Sequence, residues 1–280
     1  MKPKMLLASM LLSMLVSMTS WADAPPRTVV IGGDIAEILA DLDATDSLVG
    51  RDDTVLYPSA LTALPSVGYL RRLSAESVLS LHPQRLIVSG DAGPSEVLTQ
   101  LEASGVEMIE IPADKRLEAI PDKVRAVAAA VGAERRGATL ADTLTEAIDA
   151  LRALPPLEGM SGMFLLSHSG MSPMVAGHDT GGGAMLQAVG IGNAFDSFSG
   201  YRAVGSEGLI ARQPQVVIAT TMGVEALGGK NGVWELPGLA MTPAGHHHHL
   251  LVFDDLALLD FGPRTPDTLM QLRRSLEALQ

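Results

Sequence analysis

Gly68-Tyr69-Leu70-Arg71-Arg72-Leu73-Ser74-Ala75-Glu76 leads through an apolar turn into Pro83-Gln84 and the run Leu86-Ile87-Val88. The same order returns in the second half of the chain, as Gly200-Tyr201, Ser206-Glu207, Leu209-Ile210, Pro214-Gln215 and Val217-Ile218-Ala219. From glutamate to proline the spacing is identical; from tyrosine to glutamate the second copy is one residue shorter. Several unlike residues recurring in register mark an internal repeat. Two halves of like construction predict two lobes with a ligand cleft between them.

Outward from the repeat, short β-branched runs alternate with helical periodicity. Thr28-Val29-Val30-Ile31 is a strand, and Asp34 is expected to cap a helix through Ile35, Ile38, Leu39 and Leu42. Leu48-Val49-Gly50 is a second strand; Val78, Leu79 and Leu81 lie on a helix that Pro83 ends; Arg85 to Val88 is a third strand. Pro94 and Ser95 open a helix that Gly105 stops, and Glu107 to Ile111 is a fourth strand. Alternation of this kind predicts a mostly parallel sheet with helices on its faces. From Arg116 to Leu154 helical periodicity runs on without a strand, broken once at Gly132, until Pro155-Pro156. Strands then resume at Met163 to Leu166, Pro173 to Ala176, Val216 to Ala219 and Leu250 to Phe253, with a helix after Gly183 and a last one opened by Thr265 and Pro266. The fold class is α/β: two Rossmann-like lobes, residues 23–113 and 157–280, joined by a helical connector over residues 114–156.

Lys2 and Lys4 precede an uncharged apolar run, Met5 to Met18, and small residues around Ala22. That order predicts a signal peptide over residues 1–22 with the mature chain starting at Asp23, hence export to the periplasm. No cysteine is present, which excludes disulfides, thiolate metal sites and a lipid-anchoring cysteine. Loss of Lys2 and Lys4 takes the formal net charge from −12 to −14. Such an acidic protein is not a general binder of nucleic acid or anionic membrane.

Tyr69 has two arginines beside it. A phenol normally ionises only near pH ~10, but guanidinium charge favours the phenolate and a ferric ion favours it far more. Tyrosine is among the few side chains that hold haem iron. A solvated surface turn would use the same nine residues.

The chain resembles the periplasmic haem-binding proteins of the HmuT, ShuT and PhuT type, which feed haem to ABC importers. The likeness spans the mature chain. It rests on Gly50-Arg51-Asp52-Asp53-Thr54 with Tyr57-Pro58, on Leu64 through Arg71, and on Leu73-Ser74-Ala75-Glu76. Asp91-Ala92-Gly93-Pro94, Val175-Ala176-Gly177 with Thr180, Glu225-Ala226-Leu227-Gly228-Gly229 and Phe261-Gly262-Pro263-Arg264-Thr265 complete it. The resemblance implies two α/β lobes bridged by a long backbone helix, with little hinge motion. It implies Tyr69 as axial ligand to ferric haem b, with Arg71 or Arg72 bonded to the phenolate or a propionate. It further implies a haem permease with its ATPase as partner, an outer-membrane haem receptor upstream, a monomeric binding protein, and no catalysis.

His168, after a strand of the second lobe, is a candidate distal or second-haem ligand; His178, beside Asp179-Thr180, competes with it. Either could equally be a loop histidine. Thr180 is a further candidate contact, and the amides of Gly181-Gly182-Gly183 could meet a propionate at a helix start. Glu76 and Glu207 hold matching places at helix starts, where carboxylates favour the dipole; the resemblance assigns them to docking on permease arginines. His246-His247-His248-His249 is expected to be a solvated loop with incidental metal affinity. A ferric siderophore or a corrinoid is the alternative ligand, and a histidine-centred metal carrier the alternative of another class.

Overall fold

Short continuous apolar runs become strands buried on both faces, and period-3.6 runs become helices, in both halves. In the computed structural model, which describes residues 25–168 and 170–280, the first half holds β1 (Thr28–Ile31), α1 (Gly33–Asp41), β2 (Leu48–Arg51), α2 (Ala75–Leu79), β3 (Arg85–Ser89), α3 (Ser95–Ala103) and β4 (Glu107–Ile111). The middle holds α4 (Ile120–Ala130) and α5 (Glu134–Arg152). The second half holds β5 (Ser161–Leu166), β6 (Met174–Ala176), α6 (Gly181–Ala188), β7 (Gly192–Asn193), β8 (Tyr201–Ala203), α7 (Ser206–Arg212), β9 (Val216–Thr220) and α8 (Thr221–Ala226). It continues with α9 (Lys230–Trp234), α10 (Pro243–His247), β10 (Leu250–Phe253), α11 (Asp255–Leu259) and α12 (Thr265–Glu277). The expected signal peptide and its cleavage point lie outside the described residues. Among the described residues no helix is long and apolar enough to cross a membrane.

In the first lobe the strands run parallel in the order β2-β1-β3-β4. In the second the order is β10-β9-β5-β6-β8; β5, β9 and β10 are parallel and β6 is antiparallel to both its neighbours. Successive strand residues face opposite layers. Val30 and Ile87 join one core, while Val29, Ile31, Leu86 and Val88 join another behind the sheet. Phe164, Val216 and Ile218 enter that same first core from the second sheet, and Met163, Leu165, Val217 and Ala219 a third.

The shared core is continuous through the connector. Val124, Val127, Ala141, Leu144 and Ile148 of α4 and α5, with Leu269, Leu272 and Leu276 of α12, belong to it. Gly132, at φ +68, breaks the helical run, and α5 folds back along α4. Arg125 reaches Asp142 at 3.1 Å, and a Cβ on Gly137 would lie 2.2 Å from that of Ala128. The 19 residues of α5 make a backbone helix about 28 Å long at ~1.5 Å per residue. A large apolar joint of this kind opposes the relative motion that lobes otherwise show.

Two local expectations are corrected. Asp34 does not cap α1: the helix begins at Gly33 with Gly32 as N-cap, and Asp34 lies inside the first turn, where it takes a distant partner instead. α2 stops at Leu79 rather than continuing to Leu81, because Ser80 closes it and His82 turns left-handed at φ +48.

Candidate functional site

Gly68 adopts φ +98, a conformation that favours glycine, and its carbonyl accepts from the Asp53 amide. That turn presents Tyr69 at the head of a 3₁₀ turn, Leu70–Arg72, pinned from below by buried Leu70 and Leu73. Backbone bonds from Gly93 to Leu70 and from Leu73 to Gly93 tie the turn to the loop carrying Asp91. Arg71 then reaches Asp91 at 2.8 Å and Lys115 reaches the same carboxylate at 3.2 Å. Burial pushes the Asp91 carboxyl up, but Lys115 and Arg71 outweigh burial and hold it below the usual range. Two cations thus share one anion beside the turn that carries Tyr69.

These residues line a cavity of ≈ 860 Å³ at the carboxyl ends of the strands of both sheets. Open α/β sheets place ligands there. The first lobe contributes Leu56, Tyr69, Arg71, Asp91 and Lys115; the second contributes Leu166, His168, Met171, Thr180, Tyr201 and Met222. Among the described residues six large apolar or aromatic side chains are exposed, and four of them, Leu56, Tyr69, Met171 and Met222, line this one cavity. The cleft therefore carries apolar side chains on its walls, the Arg71–Asp91–Lys115 cluster on the first-lobe side, and the further carboxylates Asp53, Asp179, Asp255 and Asp260.

At the floor, charges tie the lobes together. Buried Lys123 of α4 pairs with Asp34 of α1 and donates to the carbonyls of Asp260 (3.3 Å) and Phe261 (3.1 Å). Arg264 pairs with Glu37 of α1 and with Asp254 at 3.1 Å, and its guanidinium lies 3.9 Å from the Tyr57 ring centroid. Burial raises the Glu37 carboxyl even against Arg264. Burial also pushes Asp260 up to about 7, with the Asp34 carboxylate adding to it.

Of the residues singled out in the sequence, Tyr69, Arg71, His168 and Thr180 come together on this cleft. Arg72 is exposed and is not among the residues lining it. His178 lies instead on a neighbouring cavity of ≈ 880 Å³, its Nδ1 2.7 Å from the Asp179 carboxylate, and that bond holds Asp179 below its usual range. The glycine amides are mostly engaged: Gly183 donates to the Thr180 hydroxyl and Gly182 to the Tyr201 hydroxyl at 3.2 Å. Only Gly181 of the three remains outside these bonds. Glu76 and Glu207 are exposed in the first turns of α2 and α7, one per lobe. The four-histidine run is not a loop: His246 and His247 end α10.

Lys115, Met171, Met222 and Tyr201 were not singled out as site residues from the sequence. Tyr201 was findable as the repeat partner of Tyr69, and Lys115 as a lone cation just past β4. The methionines carry no motif.

The periplasmic binding protein family model matches residues 29–256. The chain belongs to the periplasmic binding protein family. Membership places it in the periplasm and among substrate-binding proteins rather than enzymes. This binding protein is similar in structure to the periplasmic heme-binding protein RhuT from Roseiflexus sp. RS-1, with 36% identity over 92% of this chain and 100% of that one, TM-score 0.85. It is similar to BhuT in complex with two hemes (35% identity, 91% and 99% covered, TM-score 0.83). It is also similar to the heme-binding protein HutB of Vibrio cholerae (32%, 90% and 99%, TM-score 0.81). Among curated protein sequences none matches.

Proposed function

We propose that this periplasmic binding protein captures haem in the interlobe cleft and delivers it to an ABC importer. The observation that carries the reading is the concentration of exposed Leu56, Tyr69, Met171 and Met222 in one cleft beside Arg71 and Lys115. A flat apolar ligand with an anionic edge matches apolar walls that also present Arg71 and Lys115. Solved relatives that bear the name heme-binding protein, at 32–36% identity over nearly their whole length, support the same ligand.

In this reading Tyr69 ligates ferric haem iron from the first lobe. The ferric ion itself favours the phenolate; Arg71 and Lys115 face the propionates, while Asp91 orients both cations. His168, exposed on the opposite lobe, is the second axial donor, either to the same haem or to a second one. Residues 1–22 serve as the signal peptide, and the mature monomer comprises lobes 23–113 and 157–280 about the connector 114–156. An outer-membrane haem receptor supplies the ligand. Glu76 and Glu207, one on each lobe, dock on cationic residues of the permease that works with the ATPase.

Hemin titration followed by absorption spectroscopy tests the ligand. A Soret band with the charge-transfer features of a tyrosinate-bound ferric haem is expected, and Tyr69→Phe should abolish those features. No spectral change on mixing would overturn haem as ligand; an unchanged spectrum in Tyr69→Phe would overturn Tyr69. The stoichiometric end point, repeated on His168→Ala, separates one haem from two. Docking is tested by Glu76→Ala with Glu207→Ala, which should leave hemin affinity unchanged and impair stimulation of transporter ATPase activity in liposomes. Normal stimulation would reduce both glutamates to helix-end charges.

A further inference from the structure

Tyr57 and Arg264 stand in two stretches that no step of ligand capture uses, Tyr57-Pro58 and Phe261 through Thr265. They are distant in sequence and belong to different lobes. Even so, the Arg264 guanidinium carbon lies over the Tyr57 ring, 3.9 Å from its centroid. Neither residue lines the cleft.

Arg264 is held firmly where the ring meets it. Its Nε donates to Glu37 of α1 at 3.0 Å, and its Nη1 lies 3.1 Å from the Asp254 carboxylate. A guanidinium bonds carboxylates in its plane and stacks through its face, so these contacts do not compete. Asp254 is also the N-cap of α11, accepting from the Ala257 amide at 3.0 Å. That helix carries Asp255, Leu256 and Leu259 to the cleft, so Arg264 grips one end of a second-lobe wall.

On the first lobe the chain after β2 supplies Asp53, Thr54 and Leu56 to the same cleft. Its base is secure: buried Asp52 accepts from the Gly32 and Thr54 amides, both at 2.9 Å, and Val55 enters the shared core. Past Val55 the hold weakens. Leu56 and Tyr57 are 46% and 45% exposed, and among the described residues the Tyr57 amide has no backbone partner. The stack on Arg264 ties the chain just beyond Leu56 to the opposite lobe.

We propose that the Tyr57–Arg264 stack is a clasp between the lobes that seats Leu56 against the bound ligand, with Tyr57 a positioning residue that does not itself touch it. The identity of the ligand rests on the haem reading; the clasp does not. Without the stack the segment spends part of its time unseated, and ligand affinity falls with the seated fraction. A cation–π contact at a half-exposed site sets the loss at about three- to tenfold.

Hemin affinity, measured by competition with apomyoglobin, tests the proposal together with amide hydrogen exchange over residues 53–57 of the ligand-free protein. Tyr57→Leu keeps apolar bulk but removes the ring face, whereas Tyr57→Phe keeps the face. Tyr57→Leu should bind hemin about three- to tenfold more weakly and exchange faster at Leu56, whose amide donates to the Thr54 carbonyl at 3.0 Å. Tyr57→Phe should match the parent in both, and all three proteins should give the same ferric haem spectrum. Unchanged exchange in Tyr57→Leu would overturn the clasp. Faster exchange with unchanged hemin affinity would overturn its part in seating Leu56, and an equal loss in Tyr57→Phe would overturn the stack as the cause. A parent protein that binds no hemin would overturn the haem reading instead, and the exchange comparison would still decide the clasp.

Discussion

Asp260 lies at the cleft floor, where Asp34 and Glu37 face it from α1, Lys123 from α4, and Lys115 from the segment after β4. Burial, reinforced by Asp34, moves its ionisation from 3.8 to about 7 in spite of the two lysines. Between those pH values the folded protein holds a proton that the unfolded chain has released. The favourable contribution of the neutral acid is therefore whole below about pH 4 and declines as pH rises to about 7; above that, folding carries a buried carboxylate. At about 1.36 kcal/mol per pH unit, the shift from 3.8 to about 7 caps this penalty at roughly 4 kcal/mol. Water entering through the open cleft screens the charge, so about 2 kcal/mol is expected. Asp260→Asn keeps the size of the side chain and removes the ionisation. The variant should be more stable than the parent by about that amount at pH 8 and indistinguishable from it at pH 4. Urea unfolding at a series of pH values, followed by circular dichroism, measures this directly. A gain of equal size at pH 4 and pH 8, or a loss at pH 8, would refute the account.

Lys123→Met should destabilise by about 3–5 kcal/mol, because it strands Asp34 without its partner in a buried place and removes the donor to the Asp260 and Phe261 carbonyls. A midpoint in denaturant within error of the parent would show the pair to be dispensable. Gly137→Ala should cost about 1–3 kcal/mol by forcing α5 away from Ala128. Adding Ala128→Gly should recover part of that loss; strict additivity in the double-mutant cycle would mean that the two positions do not meet.

Thr28 to Ile31, Arg85 to Val88, Val216 to Ala219 and Leu250 to Phe253 were legible as strands because a strand's pattern of burial is written in adjacent residues. Gly132 was legible as the break in the connector because the left-handed turn there favours glycine. The repeat likewise set out two similar lobes, and Tyr69 stood out by its neighbours in the chain. Chain order could not choose between His168 and His178 for the cleft. The turn at Asp179, at φ +58, and the bonds of His178 to the Phe198–Gly200 segment carry His178 to the adjoining cavity. Nor could it pair Asp34 with Lys123, or Glu37 with Arg264, since each pair is distant in sequence and brought together by the packing of α1 against the connector and the second lobe. The sequence by itself determined the main strands and helices and the two-lobed plan, because these follow from local propensity and hydrophobic period. The tertiary structure alone decided which charges neutralise one another and which side chains share the cleft, because those depend on the direction of each side chain once distant segments are packed.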